Sequence, residues 1–175
     1  MRVGVTGHRN VDPADWPPLR AAFGRLLASL LPRSPGASTM VISGMAAGAD
    51  TLAAEEALAR SVPVVAALAA PLETYELDFP GEERASLRER VARCTTVVTL
   101  TDGSDRAAGY LAVREYLAGQ SDVLVAFWDG IDNRKPGGTA DVVHAGMRGP
   151  VYQIVTPRLG APRPARAYEL RKIFP

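Results

Sequence analysis

Three short turns in this sequence combine glycine with groups that hold anions. They are Thr6-Gly7-His8-Arg9, Ser43-Gly44-Met45-Ala46-Ala47-Gly48-Ala49-Asp50 and Pro136-Gly137-Gly138-Thr139. Glycine lets the backbone come close to a ligand, and each turn precedes a stretch of helical character. A helix start adds unpaired N–H groups and the positive end of its dipole. The chemistry these turns point to is the binding of a phosphate. The candidate contacts are Gly7, His8, Arg9, Ser43, Gly44, Ala46, Gly48, Asp50, Asp129, Gly137, Gly138 and Thr139. Arg9 and Arg114 are of the type that grips phosphate bidentately. His8 and Asp129 suit a sugar hydroxyl or a base edge. Asp50 also reads as a helix cap ahead of Thr51. Asp141, in the first turn of its own helix, fits either a general base or a partner for the helix dipole.

Other phosphate chemistries are disfavoured. The second turn lacks the G-x-G-x-x-G spacing, and no acidic residue ends the strand that follows its helix. No Gly-Lys-Ser/Thr is present, so this is not a P-loop. One cysteine, Cys94, and two histidines, His8 and His144, argue against a disulfide framework or a metal site. No cofactor is expected.

Positioning such turns calls for strands that end where helices begin. Apolar runs over residues 3–6, 40–43, 63–68, 95–101, 122–128 and 151–155 read as strands, the fourth at an edge. Helical spacing or propensity marks residues 19–31, 51–60, 82–93, 107–118 and 138–147. Residues 33–38 and 129–136 read as loops. A longer loop over residues 69–80 carries Glu73, Tyr75, Asp78 and Phe79, and Tyr75 or Phe79 is placed to stack on a base. Nearly continuous apolar strands that alternate with helices predict an α/β fold. It is a doubly wound, mainly parallel Rossmann-like sheet with helices on both faces in a single domain. Ligands of such folds sit beyond the C-terminal strand ends. Residues 1–156 make that domain, and residues 157–175 are a proline-rich basic tail.

The length of 175 residues and the 47% hydrophobic content fit one globular domain with a real core. No run is long and apolar enough for a membrane span, and no signal peptide is evident, so a cytoplasmic protein with no membrane partner is expected. The formal net charge is only +1. A non-specific nucleic-acid binder normally shows a clear basic excess, so nucleic acid is not expected as a partner.

The motif Ser43 to Asp50, followed by Leu52-Ala53 and Ala57-Leu58, resembles the glycine motif of the SLOG superfamily. That group includes the LOG phosphoribohydrolases, DNA-processing protein A and nucleotide sensors. The opening Val5-Thr6-Gly7-His8-Arg9 resembles the first turn of small SLOG proteins. Arg114-Glu115, Ser121-Asp122 and Pro136 to Thr139 resemble the LOG pattern, with Ala140-Asp141 where LOG proteins carry glutamates and an insertion over residues 128–135. The resemblance implies a nucleotide or nucleotide-derived small molecule as ligand, and a homodimer. Three functions stay open: a sensor or binding protein without chemistry, a nucleotide N-glycosidic hydrolase using Arg114 and Asp141, and a single-strand DNA binder.

Overall fold

The computed structural model describes residues 1–32, 38–132, 135–145 and 149–175. Most of the expected loop 33–38, part of the insertion 129–136 and the end of the expected helix 138–147 lie outside the described residues.

Seven strands form one sheet. They are β1 (Arg2–Gly7), β2 (Met40–Ser43), β3 (Val64–Leu68), β4 (Thr96–Thr99), β5 (Val123–Trp128), β6 (Val151–Val155) and β7 (Leu170–Phe174). Their spatial order is β4-β3-β2-β1-β5-β6-β7. The first six are parallel, and β7 runs antiparallel to β6. The helices are α1 (Trp16–Leu30), α2 (Ala49–Ala59), α3 (Leu72–Tyr75), α4 (Gly81–Ala92), α5 (Arg106–Gln120) and α6 (Thr139–Val143). The doubly wound α/β reading therefore holds.

The apolar runs are continuous because alternate residues serve opposite faces. Val3, Val5, Val64, Ala66, Leu68, Val125 and Phe127 face a core filled by Leu19, Phe23 and Leu27 of α1, Leu52 of α2 and Leu87 of α4. Ile42, Val65, Ala67, Leu124, Ala126 and Trp128 face Leu117 of α5 and Ala140, Val142 and Val143 of α6. The edge strand β4 is largely exposed, as its threonine-rich sequence suggested.

Local chemistry sets the helix starts. Pro17 and Pro18 fall in the first turn of α1. The Asp105 carboxylate caps α5, accepting from the N–H groups of Ala107 and Ala108 at 2.8 and 3.1 Å. Helix α2 starts two residues earlier than expected, after Gly48 at φ 80°. Asp50 is thus inside the first turn and is not its cap. The loop of residues 69–80 is mostly two short helical turns, Leu72–Tyr75 and Glu76–Asp78.

The basic tail is structured as well. Arg163 and Tyr168 both donate to the buried Asp15 carboxylate, at 2.8 and 2.5 Å. Leu159 N–H donates to the Asn10 carbonyl at 2.8 Å. These bonds lead the chain past the loop after β1 before β7 closes the sheet.

Packing of α5 on the sheet gives a paired test. A Cβ at Gly109 would lie 2.8 Å from the Ala69 carbonyl oxygen, whereas one at Gly119 would meet nothing within 4 Å. Gly109→Ala is expected to lower stability by about 1–3 kcal/mol through overpacking. Gly119→Ala, on the same helix, is expected to raise it by about 0.5–1 kcal/mol through helix propensity. Urea unfolding of both variants measures the two signs.

Candidate functional site

Strand order creates the site. From β1 the chain crosses to β2 on one side, and from β5 it crosses to β6 on the other. The neighbouring ends of β1 and β5 therefore open into a crevice, the usual ligand position of this architecture. A cavity of about 720 Å³ lies there. Its walls come from Thr6 to Asn10 after β1, from Gly44, Ala46 and Asp50 after β2, from one side of α5, and from Lys135 to Thr139 after β5.

Two close approaches shape the crevice. A Cβ on Gly7 would lie 2.4 Å from the Ala49 Cβ, and one on Gly48 would lie 2.4 Å from the Arg9 carbonyl oxygen. These glycines let α2 butt against the loop after β1. Ala49 N–H donates to the His8 carbonyl at 3.0 Å across that contact.

The electrostatics are one-sided. Arg9, Arg106, Arg114, Lys135 and Arg158 line the cavity, and among its described lining residues Asp50 is the only carboxylate. The Arg9 guanidinium stacks over the Tyr110 ring, 4.7 Å from its centre. Arg106 approaches the same ring at 5.8 Å and is held by Asp78 at 2.9 Å. The Tyr110 hydroxyl donates to Asp78 in a short hydrogen bond. Arg158 pairs with Asp129 at 3.4 Å.

Asp50 is buried on the cavity floor. Burial pushes its carboxyl up to about 7, against the opposing pull of Arg9 and the N–H groups of Ala46 and Gly44. His8 is displaced downward by burial, with the Asp129 carboxylate offsetting part of the shift and Arg158 adding to it.

The structure gathers most of the anticipated residues at this crevice: Gly7, His8, Arg9, Gly44, Ala46, Asp50, Gly137, Gly138 and Thr139, with Arg114 on the α5 wall. Ser43 lies beneath it, fully buried, donating to the Asp50 carbonyl and accepting from Met45 N–H. Gly48 and Asp129 stand behind the lining. Asp141 faces a smaller neighbouring pocket. Its carboxylate accepts from Gly137 N–H at 2.7 Å and meets Arg114 at 3.3 Å. Phe79 packs edge-on against Tyr75 within the core. Lys135 and Arg158 were not among the sequence candidates. The tail holds five basic residues, but no spacing pointed Arg158 towards the strand ends.

The fold and crevice define a Rossmann-like domain with a cation-lined site at its topological switch point. Residues 17–124, well over half of the chain, match the family described as DNA recombination-mediator protein A, and the chain belongs to that family. Among solved structures it is similar to DNA processing protein A from Streptococcus pneumoniae, with a TM-score of 0.65 and 16% identity. That match covers 91% of this chain and 52% of the other, so the chain spans about half the length of that relative. It is also similar to DNA processing protein A from Helicobacter pylori, with a TM-score of 0.59, 18% identity, and coverage of 91% of this chain and 67% of that one. The latter structure is described as showing a single-stranded DNA binding mode. The expectation that nucleic acid is no partner is overturned by this finding. No curated protein matches the chain. Among the described residues, no helix is long and apolar enough to cross a membrane, and no group of three His, Cys, Asp or Glu could hold a metal.

The Asp50 shift has a stability consequence. The folded carboxyl holds its proton up to about pH 7, while its ordinary value is 3.8. The unfolded chain therefore ionises first, and stability falls as pH rises between those values, then levels off. The loss is at most about 4 kcal/mol. Asp50→Asn removes that ionisation. Its melting temperature, relative to the unmodified protein, should climb between about pH 4 and pH 8. A difference that stays constant across that range would refute the account.

Proposed function

We propose that this chain binds single-stranded DNA, seating a backbone phosphate in the crevice between β1 and β5. The observation that carries the reading is the ring of five cationic side chains against one carboxylate, with Arg9 stacked on Tyr110. Phosphate neutralisation supplies the affinity, and an aromatic face supports an unstacked base. Family membership and the single-strand binding described for the Helicobacter pylori relative support the same reading. The net charge of +1 does not oppose it, because five cations line one crevice with a single carboxylate among its described lining residues. The site residues for this role are Gly7, His8, Arg9, Gly44, Gly137, Gly138 and Thr139, with Arg106, Arg114 and Arg158 as charge partners. A cytoplasmic setting, where such DNA is met, goes with this role.

A second reading is a free nucleotide in the same crevice, favoured by a cavity of about 720 Å³, a size typical of small-ligand sites. Hydrolysis of that nucleotide has less support. The Asp141 carboxylate that would serve as its base is engaged by Gly137 and Arg114 and faces the neighbouring pocket.

Fluorescence anisotropy with labelled oligothymidylate tests the proposal. With about three phosphate contacts, affinity should fall roughly 15- to 20-fold between about 50 and 200 mM salt. Arg9→Ala should weaken binding about tenfold, the loss of one charge-assisted contact. Salt-insensitive binding, or none, defeats the single-strand reading. A thermal shift with nucleoside monophosphates alone would favour the second.

A further inference from the structure

One cluster at the rim is not explained by backbone-phosphate binding alone. His8 follows β1, Asp129 follows β5, and Arg158 follows β6, so three strand ends meet there. The His8 ring is nine-tenths buried and lines the cavity, and the Asp129 side chain behind it is only 4% exposed. His8 Nε2 accepts from Asp129 N–H at 3.0 Å, so in this state the ring is neutral and carries its proton on Nδ1. The same Nε2 lies 3.2 Å from Asp129 Oδ1. Asp129 Oδ2 is buried without a hydrogen-bond donor, with only the Arg158 charge at 3.4 Å.

The oxygen beside the neutral ring, Oδ1, accepts from Ile131 N–H at 3.0 Å and keeps a second lone pair for it. The charged groups beside the ring are Asp129 and Arg158, while α2 presents the Ala49 N–H to the His8 carbonyl and brings the Asp50 carboxyl to the same cavity. A second proton on the ring would turn both nitrogens into donors. Nε2 then exchanges its bond from Asp129 N–H for one to Asp129 Oδ1 at 3.2 Å, and the added positive charge favours an anion in the cavity that the ring lines. An internal phosphodiester brings one negative charge. A phosphate monoester brings about −1.5 to −2 at pH 7, so it stabilises an imidazolium more strongly.

We propose that this crevice selects a phosphate monoester, the terminal phosphate of a DNA strand, over an internal phosphodiester, and that His8, backed by Asp129, is the residue that reads the second charge. The inference rests on the single-strand reading for its ligand and goes beyond it by naming the part of the strand that is preferred. On binding, one proton is shared between the monoester and His8. In the neutral range the complex takes it up from solvent. Arg158, 3.4 Å from Asp129 Oδ2, holds the carboxylate in place beside the ring.

The test compares four probes on the whole chain: tetrathymidylate with a 5′-phosphate, with a 3′-phosphate, or with neither, and thymidine 5′-monophosphate. Titration calorimetry in two buffers of different ionisation enthalpy gives affinity and protons taken up together. A phosphorylated strand should bind about tenfold tighter than the unphosphorylated one at about pH 6.5, and this ratio should shrink towards about threefold by pH 8. Near pH 7.5 the phosphorylated strand should take up more protons than the unphosphorylated one, since the response of Asp50 is common to both. In His8→Asn the ratio should fall below about threefold at every pH, and proton uptake should become equal for the phosphorylated and unphosphorylated strands, leaving only the share that Asp50 contributes to both. Asp129→Asn, which keeps the side-chain shape, should lower the ratio and the uptake in the same direction, and it decides the matter if His8→Asn fails to fold.

Equal binding of phosphorylated and unphosphorylated strands overturns this inference and leaves the single-strand reading standing. A preference that survives in both variants, or equal proton uptake by the phosphorylated and unphosphorylated strands, overturns it too. If the monophosphate binds as tightly as the phosphorylated strand, monoester selection stands and the strand reading falls. If no probe binds, both fall.

Discussion

The crevice depends on how His8 is tied. Its N–H donates to Phe127 of β5, its carbonyl accepts from Ala49 at the start of α2, and its ring accepts from Asp129 N–H, each at 3.0 Å. One residue thus fixes β1, β5 and α2 relative to one another. The contacts are possible only because Gly7 and Gly48 carry no Cβ where α2 and the loop after β1 meet. A backbone junction of this kind leaves N–H groups and side chains pointing outward from the strand ends, while the apolar strands beneath are locked between two helical layers. The site is rigid where the backbone converges. Its cations are carried by side chains reaching in from the loop after β1, from α5, from the segment before α6, and from the tail.

Those origins explain what the sequence revealed and what it concealed. The apolar runs and the glycine turns are local features, so the doubly wound sheet and the first ring of site residues were legible. The start of α2 was misplaced because Gly48 adopts a left-handed backbone that no propensity scale anticipates, and Asp50 moved from cap to cavity floor as a result. Arg158 could not be found by spacing. It reaches the crevice because Arg163, Tyr168 and Leu159 bind the tail to Asp15 and Asn10, contacts that span up to 153 residues of sequence. The proline content of that tail hid a strand, since the prolines mark its turns while Leu170–Phe174 is free of them.

Net charge was the least informative of the sequence quantities. A formal +1 is an average over the whole chain, and binding responds to local potential. Much of the acidic content is spent away from the ligand position. Asp15 anchors the tail, Glu55 pairs with Arg20 and Arg90, and Glu76 pairs with Arg88. At the crevice the acids stand behind the bases: Asp78 behind Arg106, Asp129 behind Arg158, Asp141 beside Arg114. Each such pair orients a guanidinium without neutralising the cavity outright, because the carboxylate is the more distant partner for anything in the crevice. A uniform scatter of the same residues would give the same net charge and no site.

Asp50 is the exception, since it lines the cavity itself. Its burial makes ionisation costly, and Arg9 supplies much of the compensation. An anion entering the crevice competes for Arg9 and repels a charged Asp50, so both effects favour the neutral acid. A protonated Asp50 keeps its place against the Gly44 to Ala46 loop and ceases to oppose the ligand. With a carboxyl near 7, that change costs little at neutral pH, whereas an ordinary carboxylate would resist it by several kcal/mol. The one acid in a cation-lined crevice is therefore tolerable because the fold has buried it.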